Sequence, residues 1–191
     1  ANESYGLTTL KSMHVKHIKG EEAEGRHDAV FSFTGKSGKD WHITIEDDEL
    51  VDLILKTNRL GAKDADLFMY ISEAGNEVDL KAEHINQYIR DSSGMGFTAK
   101  NFRTWAATSR CAERLAFLST KRTAAEMKKW LKSIPSVESM DKLWSEGDWD
   151  VPTTDTGRNK AMLAVIDTVA ANLGNTRTVC RSSYIHPWFL D

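Results

Sequence analysis

The sequence predicts an α+β domain, mainly helical, with a small antiparallel β-hairpin or sheet near the N-terminus packed on a helical body. Two patterns carry that reading. Ala29 to Phe33 and Trp41 to Ile45 alternate apolar with polar residues around a Gly-containing connection, Thr34 to Asp40, as a half-buried hairpin does. From Lys81 onward the apolar residues recur at helical spacing instead. At 191 residues and 40% hydrophobic composition the chain is long enough for one compact core, and a single domain over 1–191 is expected.

After the hairpin, whose tip carries two lysines, an acidic turn leads to Leu50, Val51, Leu53, Ile54 and Leu55, the apolar face of a short helix. Leu67 to Ile71 reads as a buried strand or extended piece. Lys81 to Arg90 forms a helix with Ile85, Tyr88 and Ile89 on its apolar side, closed by Gly94 and Gly96. Thr98 is a good N-cap for a long helix through Leu118, which places Lys100 and Arg103, three residues apart, on one face. The segment 120–150 holds two short helices, Ala124 to Leu131 and Val137 to Trp144, then a Gly, Asp and Pro-bearing loop, and reads as variable. Asn159 to Leu173 is a helix with Met162, Leu163, Val165, Ile166 and Val169 set for burial, ended by Gly174. Tyr184 follows by one short helix or loop.

Composition narrows the function classes. No apolar run approaches the roughly 18 residues a membrane helix needs, and the N-terminus lacks the pattern of a signal peptide. No membrane association is expected. Cys111 and Cys180 stand far apart without CxxC spacing, which argues against a disulfide or zinc site and fits a reducing cytoplasm. The net charge of −3 is not that of a uniformly basic nucleic-acid binder. Distribution matters more than the sum. Acids cluster at Glu21 to Glu24, Glu46 to Glu49 and Glu146 to Asp150, whereas Lys36, Lys39, Lys100, Arg103, Arg177 and Arg181 fall in three other segments, so a local basic face on an acidic body is possible.

The last of those segments, Leu173 to Pro187, sets one tyrosine among basic and amide groups. An ordinary tyrosine has a pKa near 10, so about one molecule in a thousand is ionised at neutral pH and a nucleophilic Tyr184 needs help. Cations stabilise both a phenolate and the charge that grows on a pentacoordinate phosphorus, and arginine adds a planar fork that matches two phosphate oxygens. A lysine at a hairpin tip, such as Lys36, can protonate a departing 5′ oxygen.

Three segments in this order, Phe33-Thr34-Gly35-Lys36-Ser37-Gly38-Lys39, Phe97-Thr98-Ala99-Lys100-Asn101-Phe102-Arg103-Thr104-Trp105 and Leu173 to Pro187, resemble the catalytic domain of type IB DNA topoisomerases of the bacterial and poxvirus kind. The match runs from Tyr5 to Pro187, with Thr120 to Asp150 contributing little. The resemblance implies the DNA breaking-rejoining catalytic fold. It makes Tyr184 the nucleophile that forms a 3′-phosphotyrosyl bond, Lys36 the general acid, Arg103 a phosphate-binding arginine, and Asn175 a donor where many members carry histidine. Lys39, Lys100, Arg177 and Arg181 are expected to contact double-stranded DNA. The implied reaction relaxes supercoiled DNA without ATP, metal or other cofactor, in a monomer located in the cytoplasm, on the nucleoid if the source is bacterial.

Two departures qualify that expectation. Members of the family carry a further catalytic arginine just upstream of the position of Tyr5, and an N-terminal domain that closes over DNA; this sequence contains neither. The chain therefore reads as the catalytic half of a larger protein, and alone it is expected to cleave feebly or not at all, since losing one transition-state donor costs about a hundredfold to a thousandfold. A tyrosine recombinase shares the chemistry, but its HxxR-type pair before the tyrosine is missing here. A non-catalytic DNA-binding module is the rival of a different class.

Several residues are read without a catalytic or metal role. The Gly35 to Lys39 turn lacks GxxxxGK[ST] spacing and is not a nucleotide loop. His14 and His17 have HxxH spacing but no further ligands in register and read as solvated or phosphate-contacting, and His186 is left unassigned. Trp41, Trp105, Trp130, Trp144, Trp149 and Trp188 are expected in core or edge packing.

Overall fold

The computed structural model describes residues 4–19, 27–35, 38–58 and 63–190, with the backbone alone for 17–19 and 27. The chain divides into two compact units, Ala1–Gly94 and Met95–Asp191.

The first unit is built on three antiparallel strands, β1 (Val15–Lys19), β2 (His27–Thr34) and β3 (Asp40–Ile45), in the order β1-β2-β3. The expected hairpin is β2–β3, paired from Ala29↔Ile45 to Thr34↔Asp40, so the connection is shorter than its sequence outline. At its neck Trp41 lies across Gly35, where a Cβ would come within 2.7 Å of the indole nitrogen. Only glycine fits there without displacing the ring. β1 was not anticipated; its segment carries two lysines and a histidine in five residues, and pairing with β2 rather than its own pattern makes it a strand.

Alternation puts Ala29 and Phe31 of β2 on the buried face, where they meet Val51 and Ile54 of α1 (Asp48–Asn58) together with Leu10, Val15 and Leu67. Met69–Ile71 (β4) pairs with Glu77–Asp79 (β5), a second strand that the sequence reading did not include. Leu67, at the start of the predicted extended piece, is fully buried but precedes β4. α2 (Ala82–Ser93) ends at Gly94 in the left-handed region, φ 64°. Of the two histidines, His14 is structural: its Nδ1 accepts the Lys11 N–H at 2.9 Å and its ring packs edge-on against Tyr5.

The second unit is helical: α3 (Ala99–Leu118), α4 (Ala124–Leu131), α5 (Glu138–Leu143), α6 (Asp155–Leu173), α7 (Arg177–Ser183) and a 3-10 turn, Pro187–Phe189. Thr98 precedes α3 as expected, though the cap is made by Asn101, whose Oδ1 accepts the Thr98 N–H at 2.9 Å. α6 begins four residues before the predicted Asn159, because Thr154 Oγ1 accepts the Gly157 N–H and starts the helix. Ala161, Ala164, Val165, Ile166, Thr168, Val169 and Ala170 bury it on several sides, making it the central helix.

The segment 120–150 is folded onto this body. Thr123 and Glu126 form a reciprocal cap for α4, Met127, Met140, Trp144 and Trp149 are buried, and the Trp149 indole N–H donates to the Leu118 carbonyl at 2.9 Å. Trp105 and Trp188 depart from the packing expected of the tryptophans, with exposures of 77% and 74%. Trp105 lies away from the stripe Ala107, Cys111, Arg114 and Leu118, the side of α3 that faces the core.

Arg114 is the buried charge in that stripe. It donates to Thr168 Oγ1 at 2.9 Å and to Asn172 Oδ1 at 2.6 Å. Among the described residues no carboxylate reaches ion-pair distance. Burial lowers its pKa, and Arg110 adds to that. Neutral acceptors on α6 therefore hold a desolvated cation, tying α3 to the central helix. Arg114→Ala is expected to cost about 2–4 kcal/mol by leaving Asn172 unpaired beside a cavity. Arg114→Lys, whose single ammonium cannot span both acceptors, should recover little of it. The urea midpoint measures both.

Candidate active site in the helical unit

The second unit brings three of the predicted site residues into one neighbourhood. Arg103, on the exposed side of the first turns of α3, donates from Nη2 to the Leu173 carbonyl at 3.0 Å, at the end of α6. Its guanidinium lies over the Tyr184 ring, 4.9 Å from the centroid. One arginine thus touches both the helix end that precedes Asn175 and the tyrosine itself. Most of its five N–H donors stay available to a ligand.

Gly174, φ 66°, turns the chain out of α6 in the conformation that glycine adopts without strain. Asn175 follows. Its backbone N–H donates to the Ala170 carbonyl at 2.9 Å, while its side-chain Nδ2 is buried and makes no hydrogen bond among the described residues. A buried amide donor without an acceptor is uncommon in a native fold and marks a place where an oxygen from outside the chain would be stabilising.

Tyr184 stands where α7 ends. Its backbone has left helical geometry, with φ −131° and ψ −25°, while its N–H and that of Ile185 both donate to the Cys180 carbonyl, at 3.1 and 3.2 Å. Ile185 is buried in the core, which leaves Tyr184 half-buried at the rim. The nearby thiols are not nucleophiles. Burial pushes Cys180 up to about 11, against the pull of Arg103, and burial likewise raises Cys111 to about 11. Both are protonated at neutral pH.

The cations expected on DNA divide. Lys100, in the first turn of α3, and Arg181, on α7, are exposed and form no ion pair among the described residues. Arg181 lines a cleft of about 520 Å³ with Arg177, Thr178 and Ser182. Arg177 is instead held by Asp167, Nε to Oδ1 at 2.6 Å with a second contact from Nη2 to Oδ2. Ser139 donates to the same carboxylate. In the other unit Lys39 lies 4.6 Å from the Trp41 ring centroid. Lys36 lies outside the described residues.

The Asp167 pair gives a pH signature. The Arg177 hydrogen bonds, with Ser139 adding, hold the carboxyl below its ordinary range against an opposing effect of burial. A carboxyl pKa lower in the folded than in the unfolded state stabilises above the unfolded value and loses that contribution as pH falls through the folded one. Stability is therefore expected to fall below about pH 4. Asp167→Asn should remove that part of the acid loss and cost about 1–2 kcal/mol at neutral pH, as read from urea unfolding at pH 7 and pH 3.

Residues 1–187 match the family model described as eukaryotic DNA topoisomerase I, catalytic core. The chain belongs to that family. The DNA topoisomerase 1B of Acanthamoeba polyphaga mimivirus is 34% identical to it over 137 residues, 70% of this chain and 38% of that protein. The chain thus spans well under half the length of that relative. As in the resemblance read from the three segments, it is a type IB topoisomerase catalytic core, mainly helical with a small antiparallel sheet. Among the described residues no helix is long and apolar enough to cross a membrane.

Sequence reasoning about this family member missed Thr108 and Asp167. Asp167 falls on the second turn before the end of α6, ten residues before Arg177, with no spacing rule to join them across a helix end. Thr108 looks like a solvent-side residue of α3, and only the fold sets it against the tyrosine segment.

Proposed function

We propose that this catalytic core breaks and rejoins one strand of double-stranded DNA by transesterification. The Tyr184 phenolate oxygen attacks the scissile phosphorus, forming a 3′-phosphotyrosyl bond as the bond from phosphorus to the 5′ oxygen breaks. That oxygen takes a proton from Lys36, and the reverse reaction reseals the strand. The phosphodiester energy is kept in the phosphotyrosine, so the chemistry needs neither ATP nor a metal. Between the two steps the free 5′ end lets torsion relax.

The observation that carries this reading is the Arg103 guanidinium over the Tyr184 ring. A cation placed there stands ready for the negative charge that builds on phosphorus in the transition state. Asn175, with its buried free donor, suits a non-bridging oxygen. Lys100 and Arg181 are the backbone contacts of this reading, and Lys39 serves the hairpin side. Arg177, engaged by Asp167, orders the start of α7 and offers DNA only its remaining donors. The two compact units act as one catalytic domain, in a monomer.

The test is a denaturing gel with an end-labelled suicide duplex, without ATP or magnesium, using this chain and a version extended upstream. A protein-linked DNA band whose digested peptide carries the nucleotide on Tyr184 is expected. If neither protein forms one, the enzyme reading fails and a DNA-binding module replaces it.

A further inference from the structure

The chain leaves regular helix geometry at Tyr184, so its carbonyl is among the orphan acceptors of a helix end and α7 alone does not fix its direction. Thr108, one and a half turns after Arg103 on α3, supplies the missing constraint. Its hydroxyl donates to the Tyr184 carbonyl at 3.2 Å and accepts the His186 N–H at 3.1 Å, from 76 and 78 residues away. The residue between those two groups, Ile185, is anchored in the core. From these contacts we propose that Thr108 is a positioning residue for the strand-breaking reaction: it clamps the backbone on both sides of Ile185 and so holds the Tyr184 phenol beneath Arg103.

The chemistry of the hydroxyl makes the assignment specific. One O–H donor and an acceptor lone pair are both in use, one on each side of the segment. Valine has the same shape and can do neither, which leaves a carbonyl and an N–H without their partner. Serine keeps both functions. Because Arg103 and Thr108 share α3, the phosphate-binding group and the nucleophile clamp keep a fixed spacing, and displacement of a reacting group by about 1 Å commonly costs a hundredfold in rate.

The inference rests on Tyr184 being the nucleophile, and two readouts separate its failure from the failure of that reading. In an aromatic carbon–proton spectrum of tyrosine-labelled protein, the Tyr184 ring signals are those lost in Tyr184→Phe. Thr108→Val is expected to shift them in the direction that Arg103→Ala does, and Thr108→Ser to leave them in place. Thr108→Ala stands in if the valine variant does not fold. Ring signals unmoved by loss of the hydroxyl overturn the proposal, whether or not the protein cleaves DNA. In single-turnover cleavage the valine variant should form adduct about tenfold to a hundredfold more slowly than wild type, with non-covalent DNA affinity unchanged, and serine should restore the rate. Equal rates for valine and wild type, or a serine variant as slow as valine, also overturn it. Absence of any adduct from both this chain and the version extended upstream removes the proposed function, and the ring spectrum still decides whether Thr108 holds Tyr184.

Discussion

Tyr184→Phe is expected to abolish the covalent DNA adduct altogether while leaving the fold and DNA binding intact. The substitution removes one oxygen atom and keeps the ring on which the Arg103 guanidinium rests. Cation–π contact persists with phenylalanine, and at a partly exposed site it contributes only about 0.5–1 kcal/mol, so stability should change little. The nearby Cys180 thiol is no substitute nucleophile. Cys180, one turn earlier on α7, is buried with its pKa pushed up to about 11 and offers almost no thiolate at neutral pH. Gel detection of labelled DNA on the protein, with affinity measured in parallel by anisotropy, separates the two effects. An adduct that survives in Tyr184→Phe would place the nucleophile elsewhere and dissolve the site proposed here.

Arg103→Ala is expected to lower the rate of adduct formation by about a hundredfold to a thousandfold, the usual cost of one preorganised donor to a transition state. Its exposed side chain makes little core contact, so the loss should fall on the chemical step and not on the unfolding midpoint. Arg103→Lys should rescue poorly. A lysine carries the charge but not the planar fork, and the present geometry uses one nitrogen on the Leu173 carbonyl while others remain for phosphate. Single-turnover rates at saturating DNA test this. Rates for alanine within threefold of wild type would remove Arg103 from the machinery, a bound of about 0.7 kcal/mol on its role.

Taken together, the two variants probe different halves of one contact. Loss of the phenol is expected to end the reaction and loss of the guanidinium to slow it, because in the proposed mechanism the first is the bond-forming atom and the second stabilises charge that solvent can partly accommodate. Salt would not distinguish them, since phosphate contacts make DNA affinity steeply salt-dependent in either case.

The sequence by itself determined most of the local elements and the residue types of the candidate site. Period-two alternation gave the β2–β3 hairpin to within a residue of its true pairing, and Thr98 and Gly174 placed the start of α3 and the end of α6, because capping and glycine conformations are properties of a few adjacent residues. The three motif segments supplied Tyr184, Arg103, Asn175 and the lysines as candidates, through the resemblance to a family. Strand β1, the β4–β5 pair and the early start of α6 were not legible, since pairing partners and a cap lying outside the apolar pattern decide them.

Only tertiary structure decided which of those residues meet. Arg103 reaches Leu173 and Tyr184 across 70 or more positions of chain, Arg177 is drawn to Asp167, Trp105 is turned outward from α3, and Thr108 closes on the tyrosine segment. No sequence spacing encodes such encounters. They follow from the packing of α3 and α7 against the buried α6, and side-chain reach at that packing distance selects the partner of each charge.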